Sequence, residues 1–232
     1  MFIVIDGIDG SGKGTIINFW KEELAAEGNG IFDLKNYIKE TCEYPSLTET
    51  RPYDFIFSAE PTYTGVGKVI REELIKNGNN YSMAAIAQAY SLDRLILYKK
   101  MYIPLLADGR CIIADRSFST SLAYQTFGGE MNFAGIAALP GNALALEHRP
   151  DHLIICDLQA EEALARLNER GDKKDNAVFE KLEFLKKAEA QFKNPEYQKI
   201  FTDRGTAVHY LSTADKIDII KQKAVALLKT IL

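Results

Sequence analysis

Nine consecutive residues near the N-terminus have the types and spacing to hold a triphosphate: Gly7, Ile8, Asp9, Gly10, Ser11, Gly12, Lys13, Gly14 and Thr15. Glycines at 7, 10 and 12 let the backbone turn its N–H groups inward onto phosphate oxygens. Lys13 closes the loop as a point charge that reaches the β and γ phosphates. The strict form of this P-loop pattern has Ser or Thr directly after the lysine. Here Gly14 stands there and Thr15 follows, which leaves open which hydroxyl touches a Mg²⁺ ion. Asp9 in the loop and Asp115 further on are oxygen ligands of the kind that Mg²⁺ prefers.

Two more constellations suit a second, phosphorylated ligand. Asp115-Arg116 ends an apolar run, and the planar fork of an arginine grips two phosphate oxygens at once. Tyr90 and Arg94 are four apart, hence on one helix face. A ring there can stack on a base, and an arginine beside it donates to carbonyls and accepts nothing. That pairing favours thymine or uracil over cytosine.

The elements that must position these groups alternate. Strands are expected at 2–6, 54–58, 111–115, 152–157 and 206–211. Helices are expected at 13–27, 65–76, 82–107, 117–126, 132–146, 160–193 and 215–231, with a charged interruption at Gly171–Asn176. This alternation predicts an α/β layered fold with a mainly parallel sheet. The polar stretch 33–52 reads as a surface insertion in a single domain spanning 1–232. The P-loop follows a strand and opens a helix whose positive end faces the phosphates, the context that the motif requires. Asp115-Arg116 falls at the C-terminal end of a strand, where open α/β sheets place ligands.

Lys and Arg number 28 against 32 Asp and Glu, a net charge of −4, which lacks the basic footprint of a nucleic-acid binder. Positive charge must therefore be concentrated at the site. Cys42, Cys111 and Cys156 form no CxxC pair, which argues against a metal framework or disulfides and for a reducing compartment. No apolar run is long enough to span a membrane, and MFIVIDG reads as a strand rather than a leader. A cytoplasmic enzyme is expected.

The GKGT run resembles adenylate kinases. Residues 115–125, DRSFSTSLAYQ, resemble the thymidylate kinase family, as do Glu60-Pro61, Arg94 and an arginine-bearing segment near 166–176 in the same order. That resemblance implies a P-loop NTPase fold with a five-stranded parallel sheet, a mobile lid at about 166–178 and a homodimer. It implies transfer of a phosphoryl group from ATP to dTMP with Mg²⁺. The P-loop then binds ATP, and Asp9, Thr15 and Asp115 hold or surround the metal. Glu60, Pro61, Tyr90, Arg94, Arg116, Ser121, Tyr124 and Gln125 line the dTMP subsite. Arg116 holds the acceptor phosphate, Tyr124 packs against the deoxyribose and Gln125 adds a base contact. Bacterial members carry arginine where this chain has Ala59, so that contact is missing or comes from elsewhere, Arg71 for instance. With no basic residue in the P-loop ahead of Lys13, the lid must supply the transition-state cation: Arg170 first, Arg166 second. Two rivals remain: a kinase for another nucleoside monophosphate, and a nucleotide-gated switch that hydrolyses ATP slowly.

Overall fold

A computed structural model of the chain describes residues 1–169, 179 and 181–232. Strands β1 (Phe2–Asp6), β2 (Ile31–Asp33), β3 (Phe55–Ala59), β4 (Cys111–Asp115), β5 (His152–Asp157) and β6 (Ala207–Ser212) form one sheet in the order β2-β3-β4-β1-β5-β6. Every neighbouring pair is parallel. The expected parallel α/β sheet is present, with six strands among the described residues where five were expected. The additional one is β2, a three-residue edge strand too short to carry an alternation or an apolar run.

The helices are α1 (Lys13–Ala26), α2 (Leu34–Thr41), α3 (Leu47–Thr50), α4 (Gly65–Val69), α5 (Met83–Leu97), α6 (Ile103–Ala107), α7 (Phe118–Tyr124), α8 (Phe133–Ala137), α9 (Pro140–Glu147), α10 (Ala160–Glu169), α11 (Leu182–Phe192), α12 (Pro195–Thr202) and α13 (Ile217–Ile231). A π-helical turn at Tyr98–Tyr102 joins α5 to α6. The stretch 33–52 carries α2 and α3, and its Leu34 and Ile38 are buried in the main core.

Alternation along β1 divides the core. Phe2 and Val4 pack with Ala87, Leu97, Leu122 and Tyr124 on one face. Ile3 and Ile5 pack with Ile16, Trp20 and Leu24 of α1 and Ala224 and Leu228 of α13 on the other. The Trp20 indole donates to the Ala224 carbonyl at 2.8 Å, which satisfies its only polar atom in an apolar setting. This division positions the site. β1 and β4 are adjacent, yet α1 leaves β1 toward one face while α7 leaves β4 toward the other. The diverging connections open a crevice at the C-terminal ends of the two strands, the place where ligands bind in open α/β folds.

Candidate active site

The glycine-rich loop turns as its sequence requires. Gly7, Gly10 and Gly12 have φ of +140°, +83° and +89°. Space forbids a side chain at Gly10, where a Cβ would sit 2.3 Å from the Ala163 carbonyl oxygen in α10. Gly12 is the N-cap of α1, with no side-chain cap and no acid in the first turn. The start of this 14-residue helix therefore keeps its backbone donors available to an anion. Gly14 is exposed and Thr15 half-buried beside it. Lys13 curls back and donates from Nζ to the carbonyls of Gly7 (3.0 Å) and Ile8 (2.7 Å). Burial draws its ammonium below the ordinary lysine range, Arg116 adds to this, and Asp9, Asp115 and Asp6 oppose it.

Arg116 meets the loop from β4. Its φ of +71° is in the left-handed region, a strained choice for a side chain of this size and of the kind found at functional sites. Its guanidinium donates to the Gly7 carbonyl (3.1 Å) and to the carboxylates of Asp6 (3.3 Å) and Asp9. Asp6 is the anchor beneath it. It is fully enclosed and accepts from the Gly7 N–H (2.8 Å), Thr120 (2.8 Å) and Ser119. Burial pushes its carboxyl above the usual range, against the pull of Arg116. Tyr124 joins the same unit: its hydroxyl accepts from the Asp9 N–H at 3.2 Å, and its ring lies 5.6 Å from the Arg116 guanidinium.

Asp115 accepts from Lys35 Nζ at 3.3 Å. Burial alone would raise this carboxyl, but Lys35, Lys13 and Arg116 outweigh it and hold it below its ordinary range. Lys35, in the first turn of α2, lies in no motif.

A second cluster lies under the crevice. Arg94 is 1% exposed and donates from Nε to Glu60 (2.7 Å), from Nη2 to Ser121 (3.2 Å) and from Nη1 to Asn142. Burial raises the Glu60 carboxyl to about 7 against the pull of Arg94. Tyr90, 9% exposed, packs against Ile70 and Ile86. The charges of Arg71, Arg116, Asp9 and Arg94 all act on its hydroxyl, while burial lifts it to about 12. Arg71 holds the Pro61 and Thr62 carbonyls (3.0 and 3.1 Å) and stacks on Tyr63. Gln125 is buried, and its side-chain oxygen has no hydrogen-bond partner among the described residues.

Arg170 lies outside the described residues. Arg166 donates to the Thr213 carbonyl at 2.7 Å, Thr213 donates to the Ser11 carbonyl at 2.8 Å, and a Cβ on Gly12 would lie 3.9 Å from the Arg166 guanidinium. Arg166 is thus seated against the P-loop. The sequence reading did not single out Asp6, Ser119, Thr120, Lys35, Asn142 or Thr213. For Asp6 a signal existed in the strand-then-acid pattern that β1 shares with β4. The others depend on contacts between segments far apart in the chain.

This geometry can hold a polyphosphate at the start of α1 and a second anion at Arg116, across one carboxylate-lined gap. Among the described residues no group of three or more His, Cys, Asp or Glu could hold a metal, and no helix is long and apolar enough to cross a membrane.

A family model described as thymidylate kinase matches residues 45–227. A probable thymidylate kinase of Pyrococcus horikoshii is 34% identical over 175 residues, 73% of this chain and 71% of the relative. One of Thermococcus onnurineus is 31% identical over 236 aligned residues, covering 99% and 97% of the two chains. A thymidylate kinase of Chlorobaculum parvum is 31% identical over 72% of this chain and 65% of its own. With a family match across most of its length and a relative aligned nearly end to end, this chain belongs to the thymidylate kinase family.

Proposed function

We propose that the protein transfers the γ-phosphoryl group of ATP to the 5′-phosphate of dTMP, giving ADP and dTDP. The observation that carries this reading is the contact of Arg116 with the Gly7 carbonyl and the Asp9 carboxylate. It sets a second phosphate-binding group against the P-loop, as transfer between two phosphates needs and simple hydrolysis does not. The protein forms no covalent intermediate. An acceptor phosphate oxygen attacks in line, and the protein aligns two anions and offsets their charge. Lys13 exchanges its two loop carbonyls for β and γ oxygens. Arg116 holds the acceptor, and Arg166 or Arg170 neutralises the transferring group. Arg94 keeps two N–H groups beyond its contacts with Glu60, Asn142 and Ser121. In this reading they face a thymine carbonyl, with Tyr90 against the ring, Tyr124 near the sugar and Gln125 at the base.

Mg²⁺ fits this donor set. Lys35, Lys13 and Arg116 hold the Asp115 carboxyl below its ordinary range, the Asp9 carboxylate lies in the loop against Arg116, and Thr15 offers a hydroxyl. Few protein ligands suit an ion that completes its shell with water and substrate oxygens. When bound, Mg²⁺ would offset the negative charge of the triphosphate. A cytoplasmic homodimer that binds no nucleic acid belongs to the same reading. Val69 and Leu92, large apolar side chains exposed on the packed helices α4 and α5, support the dimer.

A coupled assay for ADP with dTMP, dUMP, dCMP, AMP and thymidine as acceptors tests the assignment. The highest kcat/KM is expected for dTMP. Equal use of dCMP or AMP would leave a nucleoside monophosphate kinase and remove thymine selectivity.

A further inference from the structure

Lys35 is placed for a ligand rather than for the fold. α2 starts as soon as β2 ends. Asp33 caps it, accepting from the Asn36 N–H at 2.9 Å, and is itself pinned by Lys21 at 2.5 Å. Lys35 therefore leaves a fixed point at the sheet edge and reaches over the end of β3 to Asp115, 3.3 Å away. Ala59 is the residue paired with Asp115 across β3 and β4, and its small side chain leaves that route clear.

The helix that carries it does not reward the placement. A cation in the first turn opposes the helix dipole. The side chain is 33% exposed and contributes little packing; its local role is to offset the charge of Asp115, which is 18% exposed, and that takes one of its donors. An ammonium has three donors, and among the described residues Asp115 is the acceptor that takes one of them. The remaining donors lie at the strand ends on the β3 side, where Glu60-Pro61 follows β3. Lys13 donates into the P-loop and Arg116 to Asp6 and Asp9, whereas Lys35 approaches Asp115 from the β3 side and adds a cation to the one Arg116 brings from β4.

Resting on the kinase reading above, we propose that Lys35 is a phosphate-binding residue of the acceptor subsite, which keeps Asp115 in place and donates to the phosphate of the monophosphate. The test is calorimetric titration without ATP or Mg²⁺, using dTMP, thymidine (the same base and sugar with no phosphate) and, separately, ATP. Wild type, Lys35→Met and Lys35→Arg are compared. A charged hydrogen bond lost from the phosphate should weaken dTMP binding to Lys35→Met by roughly ten- to a hundredfold. Thymidine and ATP binding should be unchanged, and Lys35→Arg should recover most of the loss. Unchanged dTMP binding by Lys35→Met would overturn the assignment, and so would an equal loss for dTMP and thymidine. Wild type that binds ATP but not dTMP would instead overturn the kinase reading, and the role of Lys35 with it.

Discussion

Lys13 donates to two carbonyls of its own loop, which keeps a buried cation satisfied until phosphate oxygens replace them. Lys13→Ala should lower kcat by about 10²–10³, the usual cost of removing one electrostatic stabiliser of a transition state. Steady-state turnover close to wild type would remove Lys13 from the reaction. Arg94 poses a different problem, since it is both a base contact in the proposed function and one partner of a buried ion pair. Removing one partner of such a pair costs about 3–5 kcal/mol. Arg94→Ala should therefore lower stability as well as kcat/KM for dTMP, whereas Arg94→Lys keeps a charge for Glu60 but loses the fork. Comparison of dTMP with dCMP in the lysine variant isolates the base contact: its dTMP preference should narrow with a smaller stability loss. An unchanged ratio would leave Arg94 a purely structural role.

The P-loop and α10 constrain each other at the level of elements. Gly10→Ala would force a Cβ toward a backbone carbonyl, not a movable side chain, at a φ of +83°. A loss of about 1–3 kcal/mol in denaturant unfolding is expected, together with weaker ATP binding. Ala163→Gly should not rescue it, because the obstructing atom is the Ala163 carbonyl oxygen. Rescue would mean that α10 is free to move away. The same elements show what the sequence could reveal. Apolar runs ending in an acid gave β1 and β4, and glycine spacing gave the loop between β1 and α1. β2 escaped because three half-buried residues carry no periodicity. The stretch 33–52 looked polar because α2 buries only Leu34 and Ile38, and with it went Lys35. Tyr124 was legible as a candidate site residue from its place in the AYQ run. Its bond to the Asp9 N–H spans 115 residues of chain and has no local signature.

Over the whole molecule, burial of Glu60 couples the site to global stability. Its carboxyl is raised from 4.5 to about 7 on folding, so the folded state holds its proton more tightly. The stabilisation is complete below pH 4.5 and disappears as pH rises to about 7. Glu60→Gln cannot titrate. Wild type should therefore lose stability relative to this variant by up to ~3 kcal/mol between those limits. Urea unfolding at a series of pH values reads this difference, and the raised carboxyl of Asp6 is common to both proteins. A constant gap across the range would show that Glu60 is ionised throughout beside Arg94.

The net charge of −4 means that two anionic ligands are drawn in by local cations alone. The most direct test of the proposed chemistry is phosphorus NMR of the wild-type protein with ATP and Mg²⁺, before and after dTMP is added. Before addition ATP should persist. Afterwards ADP and dTDP should appear in equal amounts without inorganic phosphate. Inorganic phosphate and ADP with no dTDP, at a rate indifferent to dTMP, would contradict a phosphotransferase and leave a nucleotide-hydrolysing switch.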